Sequence, residues 1–184
     1  MTLIDNQLFE KLETLAQGEY NNCTFKHSAF GEQDFSNFTF IECAFEHCDL
    51  SSVVVKNTSF KDVSFKHCKL LGINFSEANP FFLNFRFAYC MLSYASFYQL
   101  KLPKFEINNC LLEEADFAET DLTAANFINC DFRGALFDQT NLEKADLSSS
   151  TNYFIDPEAN RIRKAKFSQK GVMGLLAKYD IIIK

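Results

Sequence analysis

The stretch ADFAETDLTAANFINCDFRGALFDQTNLEKADL, residues 115–147, repeats a pattern of five residues. A large apolar residue stands in the middle of each pentad, beginning with Phe117, Leu122 and Phe127. A period of five matches neither the 3.6 residues of a helical turn nor the two-residue alternation of a strand. It predicts a backbone that turns a corner after every fifth residue.

The same period extends over most of the chain and accounts for its 22 Phe residues in 184. Its first phase contains Phe25, Phe30, Phe35, Phe40, Phe45, Leu50, Val55, Phe60, Phe65, Leu70 and Phe75. Its second phase contains Phe82, Phe87, Leu92, Phe97, Leu102, Ile107, Leu112, Phe117, Leu122, Phe127, Phe132, Phe137, Leu142 and Leu147. The phase slips by two residues in between, which predicts a small bulge at residues 76–81.

The position two residues before each central one is a second inward site, occupied mostly by small residues. All seven cysteines stand there, namely Cys23, Cys43, Cys48, Cys68, Cys90, Cys110 and Cys130. Each pentad thus points two side chains inward, and four pentads close a square coil of about 20 residues, stacked on the next at about 4.8 Å. We expect an all-β solenoid of about six coils over residues 20–167.

Residues at one corner of the coil recur every 20 positions, or 22 across the slip. The column consists of His27, His47, His67, Tyr89, Asn109 and Asn129. Three imidazoles in line about 4.8 Å apart offer at most two ligands to one ion, and the neighbouring cysteines point inward. We therefore interpret the column as stacked corner residues and predict no metal site.

The N-terminal segment, residues 1–19, allows two interpretations. Leu8, Leu12 and Leu15 share a helical face that Gly18 would close, which suggests an amphipathic helix over residues 5–17. Alternatively, Leu15 and Tyr20 continue the five-residue phase backwards, giving an irregular first coil. A solenoid needs a cap on its exposed edge in either case, and of the two interpretations we favour the coil.

The C-terminal segment, residues 168–184, changes character. Ser168 resembles a helix N-cap, and helical spacing of apolar residues follows it. The apolar residues are Val172, Leu175, Leu176, Tyr179, Ile181, Ile182 and Ile183. An intramolecular cap would need fewer of them, so we favour a homodimer in which two C-termini bury each other.

The sequence argues against an enzyme. It contains no glycine-rich phosphate loop, no zinc-protease motif and no nucleophile elbow, and a solenoid filled with Phe leaves no room for a catalytic pocket. We therefore predict no catalytic residue and no cofactor. The acidic N-terminus and the lack of a long apolar run predict a cytoplasmic protein without membrane contact.

Charge is distributed unevenly along the chain. Residues 113–160 hold 2 basic and 11 acidic residues, whereas residues 161–184 hold 7 basic and 1 acidic. The acidic positions proposed to contact a partner are Glu113, Glu114, Asp116, Glu119, Asp121, Asp131, Asp138, Glu143 and Asp146. Spread over the predicted coils, they approach the charge spacing of duplex DNA, about 1.7 Å per phosphate. Such a rod could compete with DNA for a basic groove.

The pentads of residues 115–147 resemble the pentapeptide-repeat family, whose motif reads approximately A(D/N)LXX. Ala115-Asp116-Phe117, Thr120-Asp121-Leu122 and Ala145-Asp146-Leu147 match it closely. The resemblance covers residues from about 20 to 150 and implies a right-handed quadrilateral β-helix.

The basic stretch 160–167 and the apolar segment after it resemble the Qnr-like and immunity members directed at gyrase poisons. That resemblance implies a DNA mimic that binds DNA gyrase or another type II topoisomerase. The quinolone-protection members carry two long loops, to which only the short bulge corresponds here, through Glu77, Asn79, Pro80 and Phe81. The alternative is a β-solenoid scaffold for another protein partner.

Overall fold

The computed structural model describes residues 2–81 and 83–182, which form a right-handed quadrilateral β-helix. Its strands are β1 (Thr2–Asp5), β2 (Leu8–Glu10), β3 (Gly18–Asn21), β4 (Thr24–Lys26), β5 (Thr39–Ile41), β6 (Ala44–Glu46), β7 (Ser59–Lys61), β8 (Val63–Lys66), β9 (Phe85–Ala88), β10 (Glu106–Asn108) and β11 (Asn126–Ile128). One helix, α1 (Met173–Leu176), follows near the C-terminus, and 3-10 turns span Phe75–Glu77 and Ala177–Tyr179. The predicted all-β solenoid with a short C-terminal helix is confirmed.

Parallel ladders with a step of 20 residues define four faces. Face A contains the sheet β1-β3-β5-β7, and face B contains the sheet β11-β10-β9-β8-β6-β4-β2. Isolated bridges mark face C, for example Met91 with Leu111, and face D, for example Ser96 with Asp116. Later coils continue face A through the bridges Lys101–Asp121–Asn141–Arg161 and face B through Asn126–Asp146–Lys166.

Most corners are turned by one residue in the left-handed backbone region. His47, Asn57 and Glu114 have φ values of 56°, 58° and 55°, and Gly134 occupies the equivalent position with φ 69°. This conformation costs an L-residue about 1–2 kcal/mol. The corner N–H groups offset the cost by bonding to the next coil, as when His47 donates to the carbonyl of Lys66 at 2.9 Å.

The interior is a stack of aromatic rings. Along face B the centroid of Phe45 lies 4.7 Å from that of Phe25 and 5.1 Å from that of Phe65, with the rings nearly parallel. The buried cysteines fill the smaller inward sites, and the thiol of Cys48 donates to the carbonyl of Phe25 at 3.3 Å. Burial raises the pKa of Cys43 to about 11, which leaves its thiol protonated at neutral pH.

The phase slip overlaps the end of the predicted bulge, residues 76–81, and extends beyond it. Asn79 donates to the carbonyl of Thr58 over 21 residues, the same span as the bond from Ser59 to Phe38, so the regular register persists at Asn79. The side chain of Asn79 then accepts the N–H of Phe81 at 3.0 Å. Asn84 donates to the carbonyl of Phe60 instead, and the two extra residues lie between Asn79 and Phe85, while the predicted inward Phe82 is outside the described residues.

The N-terminal segment continues the coil. Strands β1 and β2 pair in parallel with β3 and β4, and Asn6 and Lys11 turn corners with positive φ like those of later coils. Leu12 and Leu15 pack against the core, and a Cβ atom at Gly18 would lie 2.8 Å from Ile4. Close packing of this first coil on the second therefore uses Leu12 and Leu15, two of the three leucines of the helical alternative, whereas Leu8 is exposed.

The helix after Ser168 is shorter than the apolar spacing suggests. Ser168 Oγ accepts the N–H of Gly171 at 2.9 Å but does not cap α1, which begins at Met173. A Cβ atom at Gly174 would clash with the carbonyl oxygen of Tyr153, so the helix packs against the last coil at a position where only glycine fits. Leu175, 8% exposed, closes the end of the core within the same chain.

Candidate partner-binding surface

The aspartates of the repeat motif take part in building the turns. Asp116 Oδ1 accepts the backbone N–H of Ala118 at 2.9 Å, and Asp121 does the same with Thr123 at 3.0 Å. Asp131, Asp146 and the uncharged Asn141 make the equivalent bond. A short carboxylate or amide reaches this N–H from two residues before it, which is the usual Asx-turn geometry. The motif aspartates therefore have a structural role whether or not they bind a partner.

The predicted acidic residues surround the rod. The ladders place Asp116 on face D, Asp121 on face A, Asp131 on face C and Asp146 on face B. This follows from the motif, because an aspartate that repeats every five residues in a coil of 20 moves to the next face each time. The acidic region is a belt around the C-terminal coils and not one flat patch.

The belt is denser on two adjacent faces. Six of its nine residues lie on faces C and D and the corners that bound them, whereas faces A and B hold the remaining three. The six are Glu113, Glu114, Asp116, Glu119, Asp131 and Asp138; the three are Asp121, Glu143 and Asp146. We call the six residues the CD acidic surface.

Basic side chains offset part of the belt. Arg133 lies 3.6 Å from Asp131 and 3.9 Å from Glu113, and Lys166 lies 3.0 Å from Asp146. Hydrogen bonds from Ser148 and the proximity of Lys166 lower the pKa of Asp146, which keeps its carboxylate ionised. Within the described residues, the ion pairs do not involve Glu114, Glu119, Asp138 or Glu143, so basic side chains do not offset these four carboxylates.

An apolar patch that was not predicted borders the CD acidic surface. On face C, Leu111 bridges directly to Met91, and the side chains of both are exposed. Tyr89 and Tyr94 stand at the two corners of that face, and Tyr94 is 65% exposed. We call these four residues the face C patch. Its sequence signal was available, because Met91 and Leu111 are apolar at a position that faces outward in the period.

Tyr98 connects the two kinds of surface. Its hydroxyl donates to Glu119 Oε1 at 3.0 Å, while Gln99 donates to the other oxygen of the same carboxylate at 2.8 Å. The hydrogen bond to Glu119 raises the pKa of Tyr98. Glu119 is thereby held in one orientation, at the corner of face D nearest to face A.

The predicted column of corner residues, from His27 to Asn129, is stacked in the structure. The rings of His27, His47, His67 and Tyr89 stack at centroid distances of 5.0, 4.8 and 4.9 Å. Asn129 continues it by donating to Asn109 at 3.4 Å. In residues 2–81 and 83–182, no group of three or more His, Cys, Asp or Glu side chains is arranged to hold a metal ion.

The four predicted bulge residues have different environments. Glu77 accepts from the side chain of Asn74, and Asn79 donates to Ser59 Oγ. Phe81 projects outward and is 74% exposed, beside Pro80.

The residues predicted to form the C-terminal interface also differ in exposure. Leu175 is buried and Leu176 is half-buried, whereas the exposed ones are Val172, Tyr179, Ile181 and Ile182. Ile183 lies outside the described residues.

The described part of the chain contains no helix long and apolar enough to cross a membrane.

Among curated proteins, none matches this chain significantly. Among solved structures, two trypsin-treated variants of QnrB1, each described as a plasmid-mediated fluoroquinolone resistance protein, are 18% and 17% identical to this chain. Their TM-scores are 0.59 and 0.57, and each alignment covers 99% of this chain and 97% of the other. At this identity the likeness concerns the fold.

Two models of the repeat match the chain. The model described as a pentapeptide repeat region matches residues 14–80 and 38–117, and the model of pentapeptide repeats in eight copies matches residues 115–151. The matches span the coils whose ladders and inward columns are described above. The chain belongs to the pentapeptide-repeat family.

Proposed function

We propose that the protein is a non-catalytic DNA mimic that binds DNA gyrase or another type II topoisomerase and protects it from quinolones or other gyrase poisons. The observation that carries the proposal is the CD acidic surface, a set of carboxylates on consecutive coils of a rigid rod. It uses no cofactor and needs no direct contact with nucleic acid or membrane. Seven buried, unpaired thiols support a reducing, cytoplasmic location.

The geometry of the rod supports mimicry for a physical reason. A basic groove that binds duplex DNA is attracted by phosphates at regular spacing on a stiff cylinder. Here the rigid stacked core holds Glu113 and Glu114 on one coil and Asp138 on the next, and Arg133 offsets only part of their charge. The rod can therefore present its charge without the ordering cost that a flexible acidic tail would pay on binding.

The test measures DNA supercoiling and quinolone-induced DNA cleavage by purified gyrase. Wild-type protein should reduce quinolone-induced DNA cleavage, and its effect on supercoiling should weaken as salt rises, because charges are screened beyond about 8 Å at physiological ionic strength. Glu113→Lys/Glu114→Lys/Asp138→Lys should lose the effect without losing the fold, since none of the three caps a turn. The matched control is Glu19→Lys/Glu42→Lys/Glu143→Lys, which reverses equal charge on the side of face A.

The face C patch favours a second candidate, a scaffold for another protein partner. Met91 and Leu111 supply apolar area of the kind that anchors protein interfaces, and a pure mimic of phosphates does not need it. Met91→Lys/Leu111→Lys separates the candidates. If this variant still protects gyrase fully while the charge reversal does not, mimicry stands; if wild-type protein leaves gyrase unchanged at tens of micromolar, the scaffold replaces it.

We further propose a homodimer formed through the C-terminus. Leu175 already closes the core, yet Val172, Tyr179, Ile181 and Ile182 remain exposed next to it, and Ile182 is 87% exposed. Burying them against a second copy across a two-fold axis would remove this apolar surface from water.

The matched pair Ile182→Asp and Leu175→Asp tests the dimer by light scattering. Ile182→Asp should give monomers that stay folded, because that side chain is 87% exposed and packs little within its own chain. Leu175→Asp should instead destabilise the end of the rod. A wild-type protein that is monomeric at micromolar concentration would contradict the dimer.

A further inference from the structure

A groove of about 1020 Å³ opens on the side of the rod away from the face C patch, where the phase slip interrupts face A. Phe85, Leu102 and Phe105 form its apolar floor together with Leu83, and Pro80 and Pro103 line its edges. The ladder of face A stops at β7 and resumes two coils later at Lys101. In the coil between them, Asn79 and Asn84 donate to the carbonyls of Thr58 and Phe60, and the groove lies where the regular ladder is interrupted.

The backbone on the upper edge of this groove lacks its usual partners. In the next coil, Asp121 uses both of its backbone groups toward the coil before it, donating to Leu100 and accepting from Leu102 at 2.8 Å. Within the described residues, neither the N–H nor the C=O of Lys101 has a hydrogen-bond partner, although Lys101 occupies the same position in its pentad. Both groups stand beside the groove, which Lys101 lines.

Two further backbone groups are left open by the bulge. The equivalent of Pro103 in the next coil, Thr123, accepts from the corner residue Lys104 at 2.8 Å. The carbonyl of Pro103 has no such donor in the described chain, because Asn84 donates to Phe60 instead. On the lower edge, the N–H of Asp62 likewise lacks an acceptor among the described residues. The open groups are arranged as in a sheet edge, which favours pairing with an extended chain.

The groove is basic although the protein is acidic. Lys61, Arg86, Lys101 and Lys104 line it, against Asp62 and Glu106, in a chain whose net charge is −6. In the described residues, the ion pairs do not involve Arg86, Lys101 or Lys104. One of the two acidic residues, Asp62, accepts a hydrogen bond from Asn84 at 2.6 Å. The groove thus offers cations to carboxylates that arrive from outside.

We propose that this groove binds an extended acidic peptide segment of a partner protein, which pairs with the backbone of Lys101 where the ladder of face A is interrupted. Alternate side chains of such a strand would point toward the apolar floor and toward Arg86, Lys101 and Lys104. The site is separate from the CD acidic surface, which attracts basic partners on the opposite side of the rod.

The test measures fluorescence anisotropy of a labelled peptide, (Glu-Val)4, titrated with the full chain. We expect a dissociation constant below about 100 µM, and weakening by about tenfold or more for Lys101→Glu/Lys104→Glu. The matched control is Arg161→Glu/Lys164→Glu, at the same ladder and corner positions three coils later. There the N–H and C=O of Arg161 are both paired, and we expect a change within about twofold.

A second peptide separates strand pairing from attraction by charge alone. (Glu-Val)4 with alternate backbone nitrogens methylated keeps every carboxylate but cannot donate to a sheet edge, and we expect it to bind about tenfold more weakly or worse. Equal binding of the methylated peptide would overturn the proposal, as would equal weakening by both double variants. Failure of the unmodified peptide to bind at about 1 mM would also overturn it.

Discussion

The N-terminal and C-terminal halves of the rod share the same columns of inward residues, but the backbone along the sides of their coils is stabilised differently. On faces A and B of the early coils, the central Phe lies within a short strand, as Phe40 does in β5 and Phe45 does in β6. Most later sides have only a single bridge, and the side chain before the central residue caps the turn, as Asp116 and Asp131 do. The inward residues determine the fold in both halves, whereas the capping residue determines how much charge the surface carries.

This difference separates two kinds of acidic residue on the rod. Asp116, Asp121, Asp131 and Asp146 bond to backbone N–H groups, so their carboxylates stabilise turns. Glu113, Glu114 and Asp138 accept no such bond among the described residues. The carboxylates of the second group do not stabilise a turn. These residues are therefore the better candidates for partner binding.

The largest expected effect tests whether the two halves share one core. Phe45→Ala removes a ring stacked on both sides in the strand-rich half, and Phe127→Ala removes one bridged to Ile107 in the other half. Each should lower the free energy of unfolding by about 3–5 kcal/mol in urea denaturation. The control Cys110→Ala should cost far less, since it deletes one sulfur. Equal losses for Cys110→Ala and Phe127→Ala would show that the column of large residues is not the main source of stability.

A smaller effect should distinguish capping from non-capping acidic residues. Asp116→Ala removes the acceptor for the N–H of Ala118 and should destabilise the protein by about 0.5–2 kcal/mol, by analogy with other side-chain caps. Asp138→Ala should change stability within about 0.5 kcal/mol, as ordinary surface substitutions do. Asp116→Asn should retain most of the stability because the amide oxygen can still accept. If Asp116→Asn is as damaging as Asp116→Ala, charge and not capping is what the fold requires.

The smallest effect concerns pH. Hydrogen bonds lower the pKa of Asp34 through Ser36, of Asp146 through Ser148, and of Asp156 mainly through Lys178. A carboxyl with a lowered pKa in the folded state stabilises the fold above the unfolded value of about 3.9, and this stabilisation is lost as pH falls through the folded value. The variant Asp34→Asn/Asp146→Asn/Asp156→Asn should therefore show a flatter dependence of Tm on pH below about 4 than wild type does. A Tm profile parallel to that of wild type would contradict this assignment.

The inward columns could be predicted from sequence because they depend only on the period. Twenty-residue spacing alone placed His27, His47 and His67 in one stack. The spread of the motif aspartates over four faces was also available from that spacing, although counting charge along the chain obscured it. The face C patch needed one further step, the recognition that Met91 and Leu111 stand at an outward position.

The irregular segments could not be predicted because each depends on contacts that interrupt the period. In the bulge, Asn79 accepts the N–H of Phe81 in a local turn. In the C-terminal helix, Gly174 packs closely against the backbone of Tyr153. Neither contact leaves a periodic signal in the sequence. The groove on face A follows from the first of them, and so it too was invisible before the structure.

Competition between the protein and duplex DNA for purified gyrase tests the central claim most directly. The account predicts that wild-type protein displaces labelled DNA in a salt-dependent way and that Glu113→Lys/Glu114→Lys/Asp138→Lys does not. It also predicts that the matched reversal Glu19→Lys/Glu42→Lys/Glu143→Lys still competes, because it leaves the CD acidic surface intact. Equal loss of competition in both variants would mean that net charge alone matters, and no displacement by the wild-type protein would contradict DNA mimicry altogether.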